Sequence, residues 1–400
     1  MKISYREFIS FLLLIFLLNS AGVFSPSLTI RDSDFASEVE VSSNIINRLV
    51  MLGAFLVSVF FIFKTERKYY IKIVASAWPL WLLLFYAFLS CIWSDVTLTS
   101  FTRLTQQVFL ISFLLFVITY LSLDDIYGVL KKFSIIIILI GIICLPFSFA
   151  WQDIGFRSIH GHKNTAGYIF ALAGLFYLCE IYIRGYKNKS NYIFLLLIFF
   201  LLVISKSKTS LALMIFSYLF VLTLKLNPQI NAKTIISFIG GVACVVFLSL
   251  LLTDSSTLTD LGLDFTGRAI IWDFVLFEMK DYQLLGFGYR AFWGVGEQGF
   301  SVLYGGDFDF FITKLNQSHN SYLDIWVMLG YIGLVTFIIF IIHSIIVINK
   351  FNYLFVSMFL FFTIHSFMET DYFRSNNLIW VLYILIYLSG IKEKVSLNDK

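Results

Sequence analysis

The sequence predicts an all-α polytopic membrane protein with about twelve transmembrane helices and one long external loop. Three observations lead there. Of 400 residues, 59% are hydrophobic, 19% aromatic and only 14% charged, and the mean hydropathy is +0.86; a soluble domain carries about 25% charged residues. Apolar segments of membrane-spanning length recur along the whole chain. The charges between them fall on alternate sides. A water-soluble fold has nowhere to place so much Phe, Leu and Ile, which excludes a cytosolic enzyme, a nucleic-acid-binding protein and a disordered chain.

A spanning helix needs roughly 20 apolar residues. Twelve candidates run near residues 8–24, 45–63, 71–92, 104–122, 133–150, 164–183, 191–204, 210–226, 234–252, 323–348, 352–367 and 377–391. The seventh, eleventh and twelfth are short. The first follows Lys2 and Arg6 and precedes Asn19-Ser20-Ala21. That pattern is similar to a signal peptide, but with eleven more spans behind it the segment reads as a retained helix. The expected organisation is helices one to nine over 1–252, a long periplasmic or external loop over 253–322, and helices ten to twelve with a cytoplasmic tail over 323–400. Cys91, Cys144, Cys179 and Cys244 lie in or beside apolar segments at no metal-type spacing, so they are expected to pack without forming a disulfide.

Twelve spans put both termini on one side. That side, with the even loops, holds 17 Lys/Arg against 7 Asp/Glu; the odd loops hold 12 against 18. The bland formal charge of +4 thus resolves into +10 on one face and −6 on the other. Runs such as Lys64, Arg67, Lys68, Lys72 and Arg184, Lys187, Lys189 make the even side cytoplasmic by the positive-inside rule. Within the long loop, residues 269–279 (AIIWDFVLFEM) form an apolar helix pattern suited to the membrane surface or the side of the bundle.

His343 and His365 are the only ionisable residues well inside spans, too few for an ion-coupled transporter. Polar residues gather instead at outer helix ends, in four clusters. The first is Gly155-Phe156-Arg157-Ser158-Ile159-His160-Gly161-His162-Lys163-Asn164-Thr165-Ala166-Gly167. There Arg157, His162 and Lys163 could meet an anion at a helix start. The alternative is an interfacial loop with snorkelling basic side chains. His160 and His162, without a carboxylate or Cys, make a poor zinc site. The second cluster, Ser205-Lys206-Ser207-Lys208-Thr209-Ser210, puts two lysines on the acidic side, either as a tolerated turn or to meet a negative partner. The third is Thr266-Gly267-Arg268 with Gly286-Phe287-Gly288-Tyr289-Arg290, which lacks the GK[ST] of a nucleotide P-loop. The fourth is Asn316-Gln317-Ser318-His319-Asn320-Ser321-Tyr322. Imidazole titrates near neutrality, so His319 suits a general base. Several cations and one His suit an anionic substrate whose acceptor must lose a proton, such as a lipid-linked pyrophosphate.

Together the motifs resemble the O-antigen ligase and Wzy-type polysaccharide polymerase superfamily of bacterial inner membranes. The matching residues are His160 to Gly167, Ser205 to Thr209, Thr266-Gly267-Arg268 with Trp272, Gly286-Phe287-Gly288, and Ser318 to Leu323. The motifs cover roughly residues 150–330, and the topology covers the whole chain. The resemblance implies a membrane-embedded, metal-independent glycosyltransferase with no cofactor. Its donor is a glycan on undecaprenyl pyrophosphate, delivered by a flippase, and a chain-length regulator is a possible partner. It places the catalytic base on His319 and the donor pyrophosphate on Lys208 and Arg268. Arg290, Arg157, His162 and Lys163 are additional candidates for the pyrophosphate or glycan. The position of Lys208 is often Arg in the family, so phosphate grip there lacks the bidentate fork, or Lys206 takes the role.

The His-Lys-Asn-Thr-Ala-Gly and Ser-Lys-Thr forms are similar to the exopolysaccharide polymerase branch. This favours polymerisation of lipid-linked repeat units (O-antigen, capsule or exopolysaccharide) over ligation to lipid A–core. A lipid-linked glycan flippase is the reading from another class, but it would need polar residues at the membrane midplane. A cysteine placed beside His319 is expected to react with a membrane-impermeant maleimide in intact cells whose outer membrane has been opened. Labelling only after lysis would overturn both the topology and the enzyme reading.

Overall fold

The computed structural model describes residues 4–28, 45–62, 67–251, 268–293, 300–308, 312, 315–348 and 352–398. The helices are α1 (Tyr5–Ser20), α2 (Ile45–Ile62), α3 (Arg67–Ser76), α4 (Trp78–Ser90), α5 (Thr97–Tyr120), α6 (Leu123–Cys144), α7 (Lys163–Leu178), α8 (Lys189–Ile204), α9 (Lys208–Leu226), α10 (Ala232–Leu251), α11 (Arg268–Glu278), α12 (Phe300–Phe308), α13 (Ser321–Val347), α14 (Tyr353–His365) and α15 (Leu378–Asn398). A two-residue hairpin, β1 (Trp151–Gln152) antiparallel to β2 (Gly155–Phe156), departs from the all-helical expectation.

Every segment expected to span falls on a helix. Six are long and apolar enough to cross a membrane: α2, α5, α6, α7 with its continuation to Ile183, α9 and α13. A seventh would be α3 with α4, which bend by 67° at Ala77. Pro79 in the first turn of α4 explains the break, since its ring and missing N–H are tolerated only at a helix start. Apart from that hairpin the described chain is helical, consistent with a polytopic membrane protein, while the count of twelve spans remains the sequence expectation. The boundary expected at residue 252 lies outside the described residues.

Packing explains the unpatterned apolar helices. α7 and α15 are hydrophobic all round because they are enclosed all round; Ile169 to Leu175 and Leu378 to Leu388 are buried almost without exception. α2 has only 11% of its span buried, and its Leu49, Leu56 and Phe60 are exposed. An exposed apolar belt of this kind suits lipid rather than water. The four cysteines are free thiols, three buried and Cys244 exposed.

The expected helix over 269–279 is present as α11, and it lies against the bundle. Ile271, Trp272, Phe274 and Val275 join Phe287, Phe292, Trp293, Val327 and Phe367 in a second apolar core. Next to it, α13 is interrupted at Gly330, where φ is 63° and ψ is −166°. The interruption leaves helix N–H and C=O groups without intrahelical partners, and segment 283–288 supplies them. Phe287 N donates to Val327 O at 2.9 Å and Gly288 N to Met328 O at 3.0 Å; Tyr331 N donates to Gln283 O at 2.8 Å and Ile332 N to Leu284 O at 3.4 Å. Backbone in an apolar setting must be satisfied within the protein, and this exchange does it while fixing the long loop to a spanning helix.

Gly330 is required twice over, by its left-handed φ and because a methyl group there would run into the Leu284 carbonyl. Gly330→Ala is expected to cost about 3 kcal/mol or more and to lower the thermal midpoint of the detergent-solubilised protein. Gly53→Ala, where a methyl group meets nothing within 4 Å, is expected to be neutral or stabilising in the same fluorescence-detected gel filtration assay. Equal midpoints for Gly330→Ala and the parent chain would refute the backbone exchange.

Candidate functional site

Four helix starts meet at one end of the bundle. α7 begins at Lys163, capped by His162, whose Nδ1 accepts from Asn164 N at 3.2 Å. α9 begins at Lys208 and lies so close to α7 that any side chain at Gly167 would collide with Ser207. α11 begins at Arg268. α13 is capped by Asn320, whose side-chain oxygen accepts from Leu323 N at 2.8 Å. Helix N-termini carry partial positive charge. The connection from α14 to α15 crosses this place and brings a carboxylate, Glu369.

Glu369 holds the cluster together. Its Oε1 accepts from Arg268 Nη2 at 2.8 Å and from Asn164 Nδ2 at 3.1 Å, and its Oε2 lies 3.1 Å from His319 Nδ1. The Glu369 side chain is 18% exposed and that of His319 20%. Burial pushes the Glu369 carboxyl up, but the Arg268 charge, the His319 hydrogen bond and the His319 and His365 charges outweigh it. They hold the group well below the usual carboxylate range. Glu369 is therefore an anion at neutral pH and can only accept. In neutral His319 this fixes the proton on Nδ1 and leaves the Nε2 lone pair available.

The connection is itself anchored. Ser321 Oγ donates to Glu369 O at 2.9 Å and accepts from Asp371 N at 2.7 Å, while Asn320 Nδ2 donates to Phe367 O at 2.7 Å. Trp272 Nε1 donates to Ser318 O at 3.1 Å, tying α11 to the His319 turn. His319 adopts a left-handed φ of 54°, a conformation that costs a non-glycine residue energy and is kept where the surroundings impose it. Ser158, Lys206 and Arg290 share this conformation, so each of the four sequence clusters contains one such residue.

The structure distributes the candidates unevenly. His319 and Arg268 meet through Glu369. Lys208 is exposed at the first turn of α9, beside the start of α7, and Lys206 is exposed just before it. Arg290 stands elsewhere, on a cavity of about 630 Å3 together with Arg48, Arg103 and Arg374. Arg157 lies inside the fold. It is fully buried, with Nε donating to Phe149 O at 2.8 Å and Nη1 reaching Ser27 Oγ and Gly161 O. These donors hold the 150–162 loop against the segment after α1. Lys163 Nζ donates to Ile154 O at 3.2 Å, also within that loop, and His162 acts as a helix cap. His160 is buried, and burial pushes its pKa down to about 4, so it is neutral. Thr266 and Gly267 lie outside the described residues.

Of the two intramembrane histidines, His343 Nδ1 meets Tyr387 OH at 3.0 Å, and His365, at the end of α14, meets Asp371 Oδ2 at 2.7 Å. Neither reaches His319 through a hydrogen bond. Sequence reasoning missed Glu369, and it quoted Asn164 within the first cluster without giving it a role of its own. The available signal was Glu369, Asp371 and Arg374 crowded into one short connection between apolar segments, where ionisable groups are costly unless used.

Residues 193–338 match the family model described as O-antigen ligase (Wzy_C). The matched stretch runs from α8 into α13 and contains Lys208, Arg268, Arg290 and His319, whereas Asn164 and Glu369 fall outside it. No curated protein matches the chain. The match supports a ligase or polymerase type of function acting on lipid-linked glycans. This domain, in just over a third of the chain, supports a place in the O-antigen ligase and Wzy superfamily.

Proposed function

We propose that the protein polymerises undecaprenyl-pyrophosphate-linked oligosaccharide repeat units at the outer face of the bacterial inner membrane, by metal-independent, inverting glycosyl transfer. The observation that carries this reading is the shared carboxylate of Glu369 between His319 and Arg268. It supplies a base of defined tautomer next to a fixed cation.

In this mechanism an acceptor sugar hydroxyl gives its proton to His319 Nε2. Its oxygen attacks the anomeric carbon of the donor in line, and the bond from that carbon to the pyrophosphate oxygen breaks with inversion. Undecaprenyl pyrophosphate leaves with the bonding electron pair. Its developing charge meets Arg268, whose guanidinium has donors beyond the one on Glu369, together with Lys208 and the start of α11. Glu369 orients the imidazole and stabilises it once protonated, as the buried carboxylate does in a Ser-His-Asp triad. The imidazolium then returns its proton to solvent or to the departing pyrophosphate.

Two readings differ from this one in acceptor alone or in class. Ligation to lipid A–core uses the same chemistry, and the description of the matched family favours it. Flipping of a lipid-linked glycan would need neither a base nor its orienting carboxylate. In a strain lacking the gene, His319→Ala is expected to give no chain lengthening, with normal insertion and thermal stability. Glu369→Gln is expected to lower polymer yield by about 100-fold or more, since it removes the charge that fixes the imidazole. A ladder gel reads both. Normal polymer from His319→Ala overturns the reading; single-repeat capped core in the deletion strain indicates a polymerase, and long free lipid-linked polymer with bare core indicates a ligase.

A further inference from the structure

A pyrophosphate at Lys208 is the head of a lipid, and the tail of that lipid needs a place on the same side of the bundle. The hairpin of α8 and α9 contains one. Lys206 and Lys208 stand at its turn, both exposed. Further along the hairpin, a groove of about 370 Å3 runs between the two helices, with Leu178 of α7 also lining it. Its walls are Tyr192, Leu196 and Phe199 on α8 and Met214, Ile215 and Tyr218 on α9. Every lining residue is apolar or aromatic.

Helical spacing connects the groove to the lysines. On α9, Lys208 and Ile215 are seven residues apart and share a face, and the exposed Ala212 between them leaves the way open. On α8, Tyr192, Leu196, Phe199 and Val203 recur at i, i+4, i+7 and i+11, and Lys206 follows the last of them. Both stripes therefore run from a tyrosine to a lysine. At 1.5 Å per residue, Lys208 to Tyr218 spans about 15 Å. The far end is closed by aromatic rings: Tyr182 packs against Tyr192 and Tyr218, with centroids 6.4 and 6.1 Å apart. Met214 is buried and sits directly on α7, since any side chain at Gly174 would collide with its Sδ. The long side is open, with Leu196 70% exposed and Phe199 and Ile215 exposed as well.

An apolar groove open along its side, with cations at one end only, fits an amphiphile with an anionic head and an apolar tail. The family match supports lipid-linked glycans as substrates. We infer that this groove holds the polyprenyl chain of the donor, with its pyrophosphate at Lys206 and Lys208. The inference rests on the functional reading above for the identity of the donor. A methyl-branched, unsaturated chain has fewer free rotors than a phospholipid acyl chain and loses less entropy on lying in a fixed groove. Bilayer tails are as apolar as the groove, so binding gains van der Waals contact rather than hydrophobic burial. The groove's work is positional: it fixes the direction of the chain and so holds the pyrophosphate at the start of α9.

The test is titration of the purified full-length protein in nanodiscs with isopentenyl, farnesyl and dodecyl pyrophosphate, followed by calorimetry. Partition into the bilayer is common to all variants, so a change in the ratio of farnesyl to isopentenyl affinity reads the groove. Ile215→Trp and, from the other wall, Leu196→Trp fill it. Each is expected to lower that ratio about 5-fold or more, with isopentenyl pyrophosphate bound as in the parent chain and the thermal midpoint retained. Phe60→Trp, at an exposed position on α2, should leave the ratio unchanged. Lys206→Ala with Lys208→Ala should weaken both probes and keep the ratio. An unchanged ratio in both filled variants overturns the groove. Equal losses for dodecyl and farnesyl pyrophosphate make it an acyl-chain groove and overturn the polyprenyl assignment, and unchanged affinities in the lysine variant overturn the position of the head. A lowered ratio alongside normal polymer from His319→Ala keeps the groove and defeats the functional reading; an unchanged ratio with no polymer from His319→Ala does the reverse.

Discussion

The site depends on one carboxylate. Glu369 accepts from α7 through Asn164 and from α11 through Arg268, and it contacts the turn before α13 through His319. These segments are 205, 101 and 50 residues from it in sequence. A buried charge is tolerated only when its lone pairs are filled, and here each partner comes from a different element. Satisfying Glu369 therefore requires the elements to meet in one arrangement. The same condition gives His319 its tautomer, so architecture and base chemistry share a cause. Removing Glu369 would leave Arg268 partly buried beside several helix N-termini, which themselves repel a cation.

The backbone exchange at Gly330 gives that carboxylate a rigid frame. The segment after α11 hydrogen-bonds into the interrupted α13, and the first turns of α13 carry Asn320 and Ser321, which anchor the connection bearing Glu369. α11 is thus held at both ends, by Trp272 on the His319 turn and by residues 283–288 on α13. A long loop tied in this way is part of the core. Its Trp272, Phe274 and Phe292 are buried for that reason, even though they belong to a segment between spans.

Much of the helical architecture was legible because a bilayer leaves few alternatives: apolar runs of sufficient length become helices, and their ends carry the polar residues. The breaks were less legible. Pro79 marks the bend between α3 and α4, but Gly330 sits in an apolar run with no local signal, and its partner lies more than forty residues earlier. His319 and Arg268 could be named because imidazole and guanidinium are scarce in this composition. Glu369 could not, and Asn164 was quoted without a role, because their pairing is a contact across 205 residues that no spacing encodes. Arg157 shows a different limit. Its basic neighbours suggested an anion, but fold closure uses its donors on carbonyl oxygens, and a sequence shows the number of donors without their direction.

Charge placement brings these strands together. Positive residues on the translocated side of a membrane protein oppose the usual distribution, so the twelve Lys/Arg sorted to the acidic side need reasons to be there. Arg157 and Lys163 have a structural one, closing a loop on its own carbonyls. Arg268 has Glu369. Arg48, Arg103, Arg290 and Arg374 line one cavity, and the fold turns two of them onto backbone carbonyls, Arg103 Nη1 onto that of Arg290 and Arg374 Nη2 onto that of Asn316. The cation at Glu369 is balanced by an internal anion next to the proposed base, an arrangement that suits transient charge on a leaving group.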